Sequence, residues 1–228
     1  DGPGSLLGHI VSEQFDANAV IRDLGEDWHF MHNYFKLHSC CRYNHGTLDA
    51  LDTIAASQGL PSADQIERID VQTYHLAAEL DNPSPRNTLA AKFSVPFAVA
   101  TRIVNQSSAL ASFTWDAVRD PRVLALAQRV TVVHNPAMSQ RLPHERPAEV
   151  RVRLRNGLTL VSQAGVNRGD DASPYTRDEL RHKFMDLCSR IWPHDHCERD
   201  LEATFGLVKW RTPMDQWLSL ITRPASAG

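Results

Sequence analysis

The chain has 228 residues, 42% hydrophobic and 22% charged, with a formal net charge of -3. That length and apolar content suffice for one large domain with a core of its own. The balanced charge gives no basic footprint for nucleic acid, and no stretch reads as a bilayer span or a signal peptide.

The sequence opens on Asp1 rather than Met, which predicts a fragment, a processed product or an excised piece. Its cysteines, Cys40, Cys41, Cys188 and Cys197, do not make a disulfide framework. Cys40 and Cys41 are neighbours and cannot bridge one another without strain. Reduced thiols in a cytoplasmic compartment are therefore predicted.

Residues 1–24 carry a weak helical stripe of Leu6, Leu7, Ile10, Val11 and Phe15, ended by Gly25. Residues 26–38 are aromatic and irregular. Ser39 then reads as the N-cap of a helix over residues 39–57, with Leu48, Leu51, Ile54 and Ala55 on its apolar face and Gly59 and Pro61 as its stop. Residues 66–74 alternate as a half-buried strand. Residues 88–105 read as helical around Pro96: either the helix kinks there, or Ser94 caps a new one with Pro96 in its first turn.

A short helix is predicted over residues 120–128, with Pro121 in its first turn, then a β-branched strand over 129–134. Residues 148–154 and 158–164 flank Asn156-Gly157, a strong hairpin signal. Arg151, Arg153 and Arg155 fall on one face by the strand period, where they are expected to be solvated or paired with acids. Thr176 and Glu179 form a capping box that opens a helix to about residue 192, with Leu180, Phe184, Leu187, Cys188 and Ile191 inward. A last helical segment is expected over 213–221, and a disordered tail from Pro224. The pattern is α+β, a small and mostly antiparallel sheet with flanking helices, since no regular βαβ alternation occurs.

One run gathers most of the reactive chemistry. Residues 34–45 place Lys36, His38, Cys40, Cys41, Arg42 and His45 at the expected helix start. Free backbone N–H groups and the helix dipole favour an anion there. Lys36 and Arg42 can hold two carboxylates, the arginine bidentately. His45 can move a proton near neutral pH, and Cys41, four residues before it, can act as acid, base or nucleophile. The alternative is that both cations are surface charges and both cysteines packing residues.

Other candidates are weaker. His194-Asp195-His196-Cys197 resembles a ligand set, but no second pair stands at a zinc spacing, so an exposed loop is expected and no metal site is assigned. Lys92, beside the break before Pro96, is a ligand candidate or a snorkelling lysine. Asp170 and Asp171 read as a solvated turn. Hydrolase, phosphate-loop, dinucleotide and dithiol motifs are all missing from the sequence.

These residues resemble the MmgE/PrpD family. The run Lys36-x-x-x-Cys40-Cys41-Arg42-Tyr43-x-His45, followed by Leu48-Asp49-Ala50, is similar to that family's motif, as is the stretch from Ala91 through Lys92 and Pro96 to Ala100. The hairpin through Gly157, the Gly169-Asp170 loop and Leu180-x-x-Lys183-Phe184 follow in the family's order. The family contains 2-methylcitrate dehydratase, cis-aconitate decarboxylase and iminodisuccinate epimerase. The resemblance therefore implies proton abstraction on a small di- or tricarboxylate with no metal or organic cofactor.

It further implies a two-domain enzyme, usually a homodimer, with a helical domain first, an α+β domain second and the active site between them. On that basis residues 1–25 are the end of a largely missing helical domain. Residues 26–192 are the α+β domain, and 193–228 a helical segment and tail. Lys36 matches the family's carboxylate-contacting lysine, with Arg42 and Lys92 as further substrate contacts and Cys41 and His45 as proton-transfer groups. Cys41 stands where the decarboxylase branch has a histidine, a departure that turns the expectation toward dehydration. Epimerisation, or a non-catalytic subunit that keeps the fold, are the alternatives. Lacking its helical domain, the isolated chain is expected to be inactive.

Overall fold

The computed structural model describes residues 18, 21–209 and 211–222. The chain divides into two units, Asp1–Tyr34 and Phe35–Gly228. In the first unit the described part carries a 3-10 turn, His29–His32. The helix expected within residues 1–24, and the tail expected from Pro224, fall almost wholly outside the described residues.

The second unit is α+β. Its four-stranded sheet has the order β2-β1-β3-β4, with β1 Ile66–Thr73, β2 Val130–His134, β3 Ala148–Leu154 and β4 Thr159–Ala164. β3 runs antiparallel to both β1 and β4, while β1 and β2 are parallel. The parallel pair requires a crossover, and the chain between residues 73 and 130 supplies it as a run of helices. Among these are α2 (Thr88–Lys92), α3 (Val95–Val104) and α4 (Pro121–Ala127). Before β1 comes α1 (His45–Gln58). After β4 come α5 (Arg177–Cys188), α6 (His194–Val208) and α7 (Met214–Ile221).

The core forms where α1 and α3 cover one face of the sheet, with α4 packed on α3. Leu48, Leu51 and Ile54 of α1, Ile69 and Val71 of β1, and Val150 and Val152 of β3 are at most 1% exposed. Each such side chain contributes roughly 1.5–3 kcal/mol through the water it sheds. The opposite face is polar, as the strand period requires. There Arg151 pairs with Glu149 at 2.7 Å and Arg153 with Glu67 at 3.1 Å, so that face is paired with acids.

Several local expectations change. The helix expected from Ser39 begins instead at His45, after a 3-10 turn over Arg42–Asn44. Ser39 does not cap it: the Ser39 N–H donates to the Ser108 carbonyl at 2.9 Å and the Cys41 N–H to the Lys92 carbonyl at 2.9 Å, so tertiary bonds hold this stretch in a bent, non-helical path. Residues 88–105 form two helices. Ser94 Oγ accepts the Phe97 N–H at 3.0 Å, and Pro96 stands in the first turn, where a missing N–H costs nothing.

The Thr176–Glu179 capping box is present, but the helix ends at Cys188, and Leu187 and Ile191 are exposed rather than inward. The loop expected at residues 194–197 is instead the first turn of α6, with His196 and Cys197 buried. Its helical start is favoured by Pro193 just ahead of it and Asp195 in the first turn. Among the described residues, no helix is long and apolar enough to cross a membrane.

Candidate functional site

The turn over residues 36–44 is a bent loop held by main-chain bonds. Lys36 Nζ donates to the Cys40 carbonyl at 3.2 Å. The Lys92 carbonyl, at the end of α2, accepts both the Cys41 N–H at 2.9 Å and Asn44 Nδ2 at 3.1 Å. Two segments distant in sequence are thus clamped so that Lys36, Cys41, Arg42, His45 and Lys92 share one neighbourhood.

Each lies in a distinct environment. Lys36, Cys41 and Lys92 are half-buried. Arg42 is buried, and its guanidinium donates to the Asp170 carboxylate. Asp170 is therefore an ion-pair partner within the fold, where a solvated turn was expected. Cys40 is 4% exposed, and burial pushes its thiol up to about 12, whereas Cys41 keeps partial access to water. All of the cysteines are free thiols.

His45 is fully buried, with neither ring nitrogen in hydrogen-bond geometry with a partner among the described residues. Burial, then the nearby His38 and Lys36, depress it to about 2, a shift the Cys40 carbonyl opposes only in part. It is a neutral imidazole. Its ring meets that of His38 edge-on at a centroid distance of 5.0 Å.

His38 is the centre of a relay that sequence reasoning missed. Its Nδ1 lies 2.6 Å from Ser108 Oγ and its Nε2 3.2 Å from Asp49 Oδ1. Asp49 Oδ2 accepts the Arg168 N–H at 3.0 Å and Asn167 Nδ2 at 3.5 Å. A signal for Asp49 existed: it is the acid one helical turn beyond His45, within an otherwise apolar stripe. Nothing local marks Ser108, which reaches His38 from 70 residues away.

His38, Asp49 and Asp52 place one ligand atom each within 4.8 Å of one another, a spacing compatible with a metal ion. The donors are already engaged, however. Arg102 Nε donates to Asp52 Oδ1 at 2.7 Å, and Asp49 has the partners just described. Arg102 fills the role of the cation, and the cluster is an ion-pair network. Beside the loop, Leu37, Ser39, Ser107 and Ala109 form one wall of a cleft of about 1020 Å³, and α5 forms the other.

Leu37 and Ser39 thus carry the loop to the cleft, while Lys36, Arg42 and Lys92 are not among its lining residues. The sequence model for the MmgE/PrpD C-terminal domain matches residues 38–207, and the chain belongs to that family.

Among curated proteins it is similar to a cis-aconitate decarboxylase of Aspergillus terreus, at 21% identity over 91% of this chain and 44% of the relative. A cis-aconitate decarboxylase-like protein, oryM, of Aspergillus oryzae is 24% identical over 94% of this chain and 46% of its own length. A cis-aconitate decarboxylase from another A. terreus strain is 23% identical over 75% of this chain and 37% of its own length. The chain thus spans less than half of each of these relatives.

Proposed function

We propose that this chain is the C-terminal domain of a cofactor-independent lyase that acts on di- or tricarboxylates by removing a proton alpha to a carboxylate, in the manner of 2-methylcitrate dehydratase. The observation that carries the reading is Lys36. It matches the motif's lysine, and its ammonium has a carbonyl rather than a carboxylate as its hydrogen-bond partner. Its charge is thus available to an anionic substrate. Stabilising the enolate-like charge that follows proton loss needs a fixed cation of this kind.

Arg42 and Lys92 are assigned to the same carboxylate wall as further contacts; Arg42 is held by Asp170, and the Lys92 carbonyl fixes the turn beside its side chain. Of the two proton-transfer candidates, half-exposed Cys41 has better access than fully buried His45. The relatives named as cis-aconitate decarboxylases support a polycarboxylate substrate. The remaining groups would come from a helical domain, with a second copy of the protein as partner. The chemistry stops at proton return for an epimerase and continues to loss of hydroxide for a dehydratase. The burial of Arg42 and His45 also fits a subunit that binds without reacting.

The test uses the whole polypeptide containing this chain. In D2O, deuterium entering the carbon alpha to a carboxylate of 2-methylcitrate, followed by NMR, reports proton abstraction directly. Lys36→Met is expected to abolish it. Unchanged exchange in that variant removes Lys36 from the mechanism, and absence of both exchange and dehydration in the unmodified protein removes the 2-methylcitrate lyase reading.

A further inference from the structure

Lys183 lies on α5, on the wall of the cleft opposite Leu37 and Ser39. Its ammonium crosses to the loop and donates to the main-chain carbonyl of Lys36. The Lys36 ammonium in turn donates to the Cys40 carbonyl at 3.2 Å. Two lysine side chains from segments about 150 residues apart thus converge on carbonyls of one short turn.

Among the described residues, no carboxylate stands within ion-pair distance of either ammonium. This contrasts with Arg42, Arg102, Arg168 and Arg181, each paired with an acid. Two like charges drawn together and partly removed from water repel unless an anion joins them.

We propose that Lys183 is a second carboxylate-binding residue, and that Lys36 and Lys183 together hold the carboxylates of one polycarboxylate where α5 meets the Lys36 turn. The inference rests on the assignment of Lys36 made above and adds to it a group from α5. The surroundings agree. The Lys183 ammonium is held below the usual lysine range, first by burial and then by the Lys36 charge, with Asp186 opposing in part. A bound carboxylate offsets the repulsion between the two ammoniums. A cleft of about 1020 Å³ has room for a tricarboxylate with neighbouring water.

The role also fixes the kind of substrate favoured. Two ammoniums brought to one short turn select a molecule with at least two carboxylates over a monocarboxylate. Each charged hydrogen bond lost from such a pair weakens binding by about tenfold or more.

The experiment uses the whole polypeptide containing this chain and citrate as the probe. Titration calorimetry compares the unmodified protein with Lys36→Met, Lys183→Met and the exposed-lysine control Lys209→Met. Losses of about tenfold in both Lys36→Met and Lys183→Met, with Lys209→Met unchanged, support the proposal. A loss in Lys36→Met alone overturns the role of Lys183 and leaves that of Lys36 standing.

Because Lys183→Met also removes a bond to the loop, a second measurement needs no variant. Acetylation of the unmodified protein, followed by mass spectrometry, is compared with and without citrate. Protection of both Lys36 and Lys183, but not Lys209, is expected. Protection of Lys36 alone overturns this proposal, and protection of neither overturns it together with the Lys36 assignment.

Discussion

Asp49 Oδ1 lies 3.2 Å from His38 Nε2, and both side chains are almost wholly removed from water. The second oxygen of the same carboxylate receives the Arg168 N–H at 3.0 Å. One buried acid therefore ties the loop before α1 to the loop after β4. Asp49→Ala leaves both donors without an acceptor, and a loss of about 2–4 kcal/mol is expected. Asp49→Asn keeps an acceptor oxygen and should lose about half as much. Urea denaturation of the two variants checks the order, and equal losses would contradict this account.

The neighbouring cysteines should differ in reactivity. Burial pushes the Cys40 thiol up to about 12, so hardly any thiolate forms there near neutral pH. Cys41 retains partial exposure. Brief treatment with iodoacetamide at pH 8, read by peptide mass spectrometry, is expected to label Cys41 well ahead of Cys40. Preferential labelling of Cys40 would show that the loop does not bury it.

His45 predicts an acid sensitivity with a definite sign. Its imidazole falls from 6.5 to about 2 on folding, so above pH 6.5 both folded and unfolded forms are neutral and its contribution is complete. As pH falls below 6.5, the unfolded chain takes up a proton that the folded protein refuses. Stability is then lost by up to about 1.4 kcal/mol for each pH unit. His45→Phe keeps a ring beside His38 and removes the titration. The fall in urea midpoint between pH 7 and pH 5 should be smaller in this variant than in the unmodified protein; identical falls would sink the assignment.

Gly169 is placed where only glycine fits. Its φ is +92°, and an added Cβ would run into the Phe35 carbonyl and the Tyr175 ring. The neighbouring Asp170 holds Arg42. Gly169→Ala is expected to cost about 1–3 kcal/mol from the backbone alone, and to loosen the Arg42 pairing. Thermal unfolding gives the stability, and hydrogen exchange over residues 36–44 reports the loosening. Gly157→Ala, also at positive φ but with open space around its Cβ, should leave exchange in that loop unchanged.

Where the physics is local, sequence and structure agree. The hairpin at Gly157, the Thr176 capping box and the Ser94–Pro96 helix start rest on contacts within a few residues, and the strand over residues 66–73 is marked by its own alternation although its partners lie far along the chain. The start of α1 does not. Ser39 is a sound N-cap by composition, but its N–H is taken by Ser108, and that bond is invisible along the chain.

The same reason hid His38. Sequence offers two histidines in one run, and only the fold gives one of them Ser108 and Asp49 as partners and buries the other, whose ring nitrogens have none in hydrogen-bond geometry among the described residues. In the sequence Lys183 figures only within the Leu180-x-x-Lys183-Phe184 stretch that follows the family's order. Its meeting with the Lys36 carbonyl depends on how α5 packs, which no periodicity encodes.

The Lys92 clamp has a consequence for how this motif can change. It uses a carbonyl oxygen, which every amino acid carries, so the loop is gripped by the path of the chain rather than by the identity of its residue. The Lys92 side chain can therefore be exchanged without dislodging the cysteine turn. Position 92 is a place where new side-chain chemistry can be tried on an unchanged frame.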